Sequence, residues 1–216
     1  MAGGEGAPVR IGDVIARRCL ALSTAALLLS ACGNAANTPA KPPTAQEILN
    51  KPDKANVKDA HFTLVAHIVS GSTAFDATGD GIVVIKPQQA SKFTMQTTLA
   101  GQTLKFEEII TGGKEYDLSP DNPRWTVKSS TTSSNPSSFK GTDASYLGED
   151  SLPQGKAWHV KAKDDSGNPF EAWVRESDGY PLKYASTSQG STLTATFDRF
   201  NTGVTVSAPP ASDIQQ

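Results

Sequence analysis

The fold of this chain is set by residues 61–68, whose sequence is HFTLVAHI. The even-numbered positions of this stretch are Phe, Leu, Ala and Ile, whereas the odd-numbered positions are mostly polar. Successive side chains of a β-strand point to opposite faces, so a period of two predicts a strand with one apolar and one wetter face. We therefore predict that the domain is built on half-buried strands.

Downstream of this strand, similar short segments recur between turns of two to five residues. Connections this short join antiparallel strands into hairpins. A sheet of about nine or ten strands must curl or close on itself. The predicted fold class is mainly β with short α: a curled antiparallel half-barrel with a helix over the concave face. The predicted strands lie at 82–85, 92–99, 103–111, around Tyr116, around Trp125, and at 157–162, 170–174, 182–186, 191–200 and 204–206.

A capping box precedes the first strand. Thr44 is followed three residues later by Glu47, a pattern in which each side chain can bond to the other residue's backbone. Pro52 interrupts the segment because proline has no amide hydrogen to continue a helix. We expect one short helix, or two, before the sheet.

Two polar segments interrupt the strand pattern. Residues 76–81, DATGDG, match the first half of a calcium loop, but Pro87 stands where the last acidic ligand is required. We interpret them as a hairpin turn. Residues 129–138, SSTTSSNPSS, are predicted to be a long polar loop, either mobile or a lid.

A lipoprotein signal is predicted at the N-terminus. Arg17 and Arg18 precede an apolar run over 19–29, which is too short to span a bilayer. Residues 29–32, LSAC, then form a lipobox, so we expect cleavage before Cys32 and acylation of its thiol. Export through the general secretory route is favoured over the twin-arginine route. Residues 1–15 are either a long leading region or the result of an upstream start assignment.

The predicted domain organisation follows from this signal. Residues 1–31 are a signal peptide with an N-terminal extension, and residues 32–43 are a lipidated flexible tether rich in small residues and proline. Residues 44–210 form the folded domain and residues 211–216 a tail. The location predicted for the chain is the extracytoplasmic side of the cell membrane, where it is held by its lipid.

Composition excludes several classes of function. The chain has 216 residues and a formal net charge of −2, so it has no basic surface for nucleic acid and no polybasic patch for anionic lipid. Its two cysteines are Cys19, inside the signal, and Cys32, so no disulfide is expected in the mature domain.

No catalytic or metal-binding motif is found. His61 and His67 share a strand face but lie about 20 Å apart along an extended strand, too far to hold one metal ion. We interpret them and His159 as surface or rim histidines. Glu107 and Glu108 point to opposite faces and do not form a dyad. We expect no enzyme activity, no cofactor and no metal.

The apolar positions of the strands are candidates for lining a cavity. A single short helix is too small to fill the concavity of so many strands, which favours a cavity for an acyl chain; an ordinary core beneath the helix is the alternative. The candidate residues are Phe62, Leu64, Ile68, Val83, Ile85, Phe93, Met95, Leu99, Leu104, Phe106, Trp158, Val160, Leu193 and Phe197.

The order of several segments resembles the LolA/LolB-like superfamily, and within it the LppX/LprG-type bacterial lipoproteins. The resemblance spans residues 44–210 and implies an incomplete antiparallel barrel with helical cover and a cavity for lipid. Residues 129–151 depart from it because they lack an amphipathic helix. Besides the lipobox and the opening helix, the matching segments are 59–64 (DAHFTL), 78–81 with Pro87, 113–116 (GKEY) with Trp125, 156–160 (KAWHV), 172–174 (AWV) with 179–182 (GYPL), and 197–201 (FDRFN) with 204–206 and Pro209.

The predicted function combines the signal with the resemblance. We expect a monomeric, membrane-anchored lipoprotein that binds lipid or acyl chains in a hydrophobic cavity and carries lipids or lipoproteins outside the cytoplasm. Its partners are the membrane, through acylated Cys32, a lipid or acylated ligand, and an unidentified protein acceptor. The alternative is a sensor or scaffold lipoprotein of the same fold that binds a protein partner and transports nothing.

Overall fold

The computed structural model describes residues 43–130 and 139–215. The predicted signal peptide, the acylation site Cys32, the tether up to residue 42 and most of the polar loop lie outside the described residues. In the part of the chain that is described, no helix is long and apolar enough to cross a membrane.

Two short helices open the domain, α1 (Ala45–Leu49) and α2 (Lys51–Lys54). The predicted capping box is confirmed, because the Thr44 hydroxyl accepts a hydrogen bond from the Glu47 amide at 3.2 Å and Glu47 Oε2 accepts one from the Thr44 amide at 2.7 Å. The chain bends between the helices, and Pro52 lies in the first turn of α2, where its missing amide hydrogen costs nothing.

The described residues form eleven strands in one sheet, and every pair of neighbours is antiparallel. The order across the sheet is β6-β5-β4-β3-β2-β1-β11-β10-β9-β8-β7, so β1 lies in the middle. The predicted curled, mainly β architecture with short helices is confirmed. The strands are β1 (Asp59–Ser70), β2 (Thr73–Val84), β3 (Ala90–Leu99), β4 (Gln102–Thr111), β5 (Lys114–Ser119), β6 (Asn122–Ser129), β7 (Thr142–Leu152), β8 (Gly155–Lys163), β9 (Pro169–Arg175), β10 (Pro181–Ser188) and β11 (Ser191–Asp198).

The hairpin turn predicted at residues 76–81 is wrong, because β2 runs through this segment without a break. The glycines serve another purpose: a Cβ on Gly79 would lie 2.5 Å from the Phe93 ring, and one on Gly81 would lie 2.5 Å from the Phe62 ring. Glycine at these positions leaves room for rings from the neighbouring strands. The turn between β1 and β2 falls instead at Gly71 and Ser72.

One strand of the structure was not predicted, and one predicted strand is absent. β7 was not predicted because most of its side chains are exposed and its pairing with β8 shifts register twice, which removes any period of two. Charged side chains and bulges are common in edge strands, where they hinder pairing with another chain. The strand predicted at 204–206 is absent, since this segment carries no regular structure.

The segment after β11 crosses the back of the sheet. The buried Asp59 carboxylate in β1 accepts hydrogen bonds from the Thr202 amide and hydroxyl and from the Gly203 amide, at 2.7, 2.8 and 3.0 Å. Further on, Ile214 bridges to Trp125 in edge strand β6, and the next amide donates to the Trp125 carbonyl at 2.8 Å. Residues 202–215, called here the C-terminal strap, therefore tie the middle of the sheet to one edge.

Candidate functional site

The strand register places the predicted cavity residues on one face of the sheet, called here the concave face. Phe62 in β1 lies opposite Gly81 in β2, which lies opposite Phe93 in β3, and the alternate positions continue the pattern on both sides. Ile85 follows β2 and packs against the same core. The sequence thus sorted these side chains to the correct face, and among the described residues they divide into two regions that differ in burial.

One part of the concave face is filled. Phe62, Val83, Val160 and Phe197 are buried in a core cluster beneath α1, and the side chains of Ile85, Phe93 and Trp158 pack partly against it. We call this region, over β8–β11 and the start of β1, the filled half. It is an ordinary core, which is the alternative that the strand pattern left open.

Residues that the sequence did not single out complete the filled half. Phe139 is only 3% exposed, and its ring centroid lies 6.4 Å from that of Phe197 and 6.1 Å from that of Tyr184. Ile48 and Leu49 of α1 are also buried in the cluster. The sequence contains little indication of this role for Phe139, because it is a lone aromatic residue directly after a polar loop.

The other part of the concave face is only partly covered. Leu64 lies opposite Gly79, which lies opposite Met95, which lies opposite Phe106, so one apolar row crosses four strands. Further apolar side chains continue from this row towards the β1–β2 and β3–β4 turns. We call the following residues the apolar strip, all of intermediate exposure except Leu99, which is 36% exposed: Leu64, Ile68, Met95, Leu99, Leu104, Phe106 and Leu193.

At its other end, the apolar strip meets a group of charges. Glu108 follows Phe106 on the same face of β4, and its carboxylate lies within 4.8 Å of those of Glu115 and Asp117. The Lys128 ammonium pairs with Glu115 at 2.9 Å and with Asp117 at 3.0 Å. Burial and the two neighbouring carboxylates raise the pKa of Glu108 above its usual value.

This acidic group is a poor candidate for a metal site. Three carboxylates could provide oxygen ligands, but Lys128 already neutralises two of them. Sequence reasoning missed the group because its members lie on two neighbouring strands and come together only through their pairing. Glu107 and Glu108 point to opposite faces, as the sequence predicted. Glu107 pairs with Lys105 at 2.7 Å, away from the acidic group.

The histidines lie on the opposite, convex face. The His61 side chain is only 11% exposed and lies between Asp198 and Asp80, and that of His159 is 18% exposed and lies between Asp150 and Glu171. The interpretation of both as surface or rim histidines is therefore wrong. Their carboxylate partners come from neighbouring strands, so a single strand could not reveal them.

His61 and His159 connect neighbouring strands on the convex face. The His159 ring stacks on that of Trp173 with centroids 4.1 Å apart, and the Trp173 indole donates a hydrogen bond to Asp150 at 2.6 Å. Both ring nitrogens of His61 and of His159 face carboxylate oxygens, which leaves neither ring a nitrogen for a metal ion. His67, whose side chain is 46% exposed, pairs with Asp76 at 2.8 Å.

Comparison with known proteins identifies the fold. No family model matches the sequence, and no curated protein matches it either. An uncharacterised conserved protein from Thermus thermophilus matches with a TM-score of 0.52 and 16% identity, over 79% of this chain and 96% of that one. LprF from Mycobacterium bovis matches with a TM-score of 0.54 and 12% identity, over 76% and 96%. The chain therefore shares its fold with these two proteins, and the likeness to LprF agrees with the resemblance that its segments predicted.

Proposed function

We propose that this protein is a lipid-anchored, extracytoplasmic lipoprotein that holds an acyl chain of a lipid or lipoprotein on its apolar strip. The observation that carries the proposal is the incomplete cover of that strip, in contrast to the filled half beside it. Lipid handling without catalysis is the function that this arrangement supports best.

The physical chemistry of the strip suits an acyl chain. Its side chains are apolar and unbranched or aromatic at the centre, where Met95 and Phe106 lie opposite each other. Each methylene removed from water contributes about 0.8 kcal/mol, so a chain of ordinary length gains substantially from such a surface. No specific polar contact is needed along the chain, and the strip has none in its central row.

The position of the ligand within the fold is also constrained. Phe62 and Phe93 stack with ring centroids 5.6 Å apart at the border of the filled half. This pair closes the strip on one side, and the acidic group with Lys128 marks its lower end. A bound chain would therefore lie over β1–β4 and not over β8–β10.

Anchoring is supported by the sequence signal. The lipobox at residues 29–32 is followed by residues 33–43, which reach at most about 36–40 Å when fully extended. One acyl chain binds a membrane only marginally, whereas two or more hold it stably. The proposed anchor would keep the domain within that distance of the bilayer that supplies its ligand.

Native mass spectrometry of the purified protein with added phospholipid tests lipid binding. We expect adducts at lipid mass for the wild type. The substitution Met95→Arg should remove them, because a charge would lie in the middle of the strip. Thr94→Arg is the matched control, since Thr94 lies next in sequence but on the convex face, and it should keep the adducts.

A bare protein mass with no lipid uptake by the wild type would overturn the carrier proposal. It would favour the second candidate, a scaffold or sensor that binds a protein partner. The filled half supports that candidate, because a core containing Phe139 and Phe197 leaves less of the concave face for a ligand. Membrane fractionation of Cys32→Ala, compared with the wild type, tests the anchor separately.

A further inference from the structure

Three neighbouring hairpins end in turns without charge. The β10–β11, β1–β2 and β3–β4 turns lie at the same end of the sheet, since all adjacent strands are antiparallel. Residues 68–75, 96–104 and 186–194 contain no Asp, Glu, Lys, Arg or His, although such residues are frequent elsewhere in the chain. We call these three segments the uncharged rim.

The opposite end of the same strands differs. Lys86 lies in the β2–β3 turn, Arg199 follows β11, and Arg175 and Asp178 form an ion pair across the β9–β10 turn. At the rim end, charge returns on either side of the three hairpins, at Asp121 in the β5–β6 turn and at Asp164 in the β8–β9 turn, where hydrogen bonds from Asn168 lower the pKa of Asp164. The absence of charge is therefore a local property of three hairpins.

The rim also exposes apolar side chains and is continuous with the apolar strip. Val69 and Leu99 are 37% and 36% exposed. Because Leu99 belongs to both the rim and the strip, a chain on the strip would leave the domain here.

The polypeptide enters the domain at the same end. The Gln46 side chain in α1 donates a hydrogen bond to the Gly141 carbonyl at 3.3 Å, and Gly141 immediately precedes β7, whose first residue pairs with the end of β8. After α2, Asn56 accepts a hydrogen bond from the Tyr180 hydroxyl beside the β9–β10 turn, at the opposite end. The described part of the chain therefore begins on the rim side.

From these placements we propose that the uncharged rim docks on the headgroup–acyl boundary of the bilayer to which the chain is tethered. The proposal rests on the proposed anchor at Cys32. Charged side chains are costly in that boundary, whereas small hydroxyl residues with a few exposed apolar ones enter it more cheaply. Docking would place the opening of the apolar strip against the lipid, so that an acyl chain could pass between them without crossing water.

Fluorescence quenching tests the docking. The full chain carrying Leu99→Cys is produced in cells that acylate it, so that the new cysteine is its only free thiol, and is labelled with an environment-sensitive dye. It is then reconstituted into phosphatidylcholine vesicles that contain a lipid brominated on its acyl chain. We expect a blue shift and loss of emission. The same dye at Gln88→Cys, an exposed position at the charged end, should show neither change.

Equal emission at both positions, or quenching that disappears at high salt, would overturn the proposal, because an uncharged surface has no electrostatic attraction to lose. The double substitution Val69→Asp with Leu99→Asp should abolish insertion, read from a dye at Thr73→Cys, while Val127→Asp, at an apolar residue 44% exposed in edge strand β6, should not.

Lipid adducts of the wild-type chain, measured by native mass spectrometry, separate this proposal from the proposed function. Adducts without quenching of the dye at Leu99→Cys would contradict docking alone. Quenching at that position without adducts would contradict lipid binding alone.

Discussion

The filled half and the apolar strip are made from the same strand pattern, but they are covered differently. In the filled half, Phe197 is 1% exposed and packs against Phe62 and Phe139. In the strip, Met95 and Phe106 remain partly exposed on the same face of the same sheet. The difference arises from α1 and Phe139, which lie over one half only. Within the described residues, two short helices cover only half of the eleven-stranded sheet.

The two halves also differ on their convex side. Behind β8 and β9, the face is closed by side chains of the sheet itself, with Trp173 stacked on His159. Behind β4–β6, Ile109 and Tyr116 are buried, and the C-terminal strap is bound to Asp59 in β1 and to Trp125 in β6. Among the described residues, the concave side of the strip thus remains partly exposed, while the strap supports the reverse side of the sheet.

The largest expected effect is a difference in the stability lost when an aromatic ring is removed from the filled half or from the apolar strip. Phe197→Ala should lower the free energy of unfolding by about 3–5 kcal/mol, because it opens a cavity in a closed core. Phe106→Ala, in the strip, should cost only about 1–2 kcal/mol, since its ring is already partly exposed. Guanidinium unfolding of both variants measures the difference, and equal losses would contradict the division into two halves.

The C-terminal strap should stabilise only the half behind which it lies. Asp59→Asn weakens three hydrogen bonds to a buried carboxylate and should cost about 1.5–3 kcal/mol. Hydrogen exchange should accelerate in β5 and β6 more than in β8 and β9. Asp213→Asn is the control, because its hydrogen bond to Ser212 is exposed. A uniform acceleration across the sheet would contradict this role of the strap.

Substitution of the two glycines of β2, Gly79 and Gly81, should have smaller effects that differ in size. Gly81→Ala should cost about 1–3 kcal/mol, since the new Cβ would meet the buried Phe62 ring at 2.5 Å and the Lys92 carbonyl at 2.9 Å. Gly79→Ala should cost less, because its closest contact is the Phe93 ring, which faces the strip and can turn aside. Thermal unfolding of the two variants compares them, and the reverse order would show that the strip is as rigid as the core.

The smallest expected effect concerns pH. Because the pKa of Glu108 is raised in the folded protein, the folded state binds this proton more tightly than the unfolded state does. Stability should therefore fall as pH rises from the usual glutamate pKa to the raised one, and Glu108→Gln should remove that fall. The variant should melt higher than the wild type at neutral pH and close to it in acid. Glu107→Gln, on the other face beside Lys105, should give no such gain.

Local patterns were sufficient for much of the fold. The capping box at Thr44 and the alternation in 61–68 depend on neighbours in sequence, so both were predicted correctly. The polar edge strand β7 and the continuous strand β2 were not, because a bulged edge has no period and a glycine in a strand resembles one in a turn. For the candidate site, the alternation of residues predicted which face carries the apolar side chains. It did not predict the acidic group of Glu108, Glu115 and Asp117.

By itself, the sequence determined the strand period, the apolar identity of the concave face, the lipobox and the lack of charge in three hairpin turns. Each is a property of adjacent residues, which local sterics and side-chain chemistry decide. Only the tertiary structure decided that Phe139 fills one half, that Asp80 and Asp198 meet at His61, and that the rim and the start of α1 share one end. These contacts join residues far apart in sequence, so they depend on strand register and on which segment covers which face.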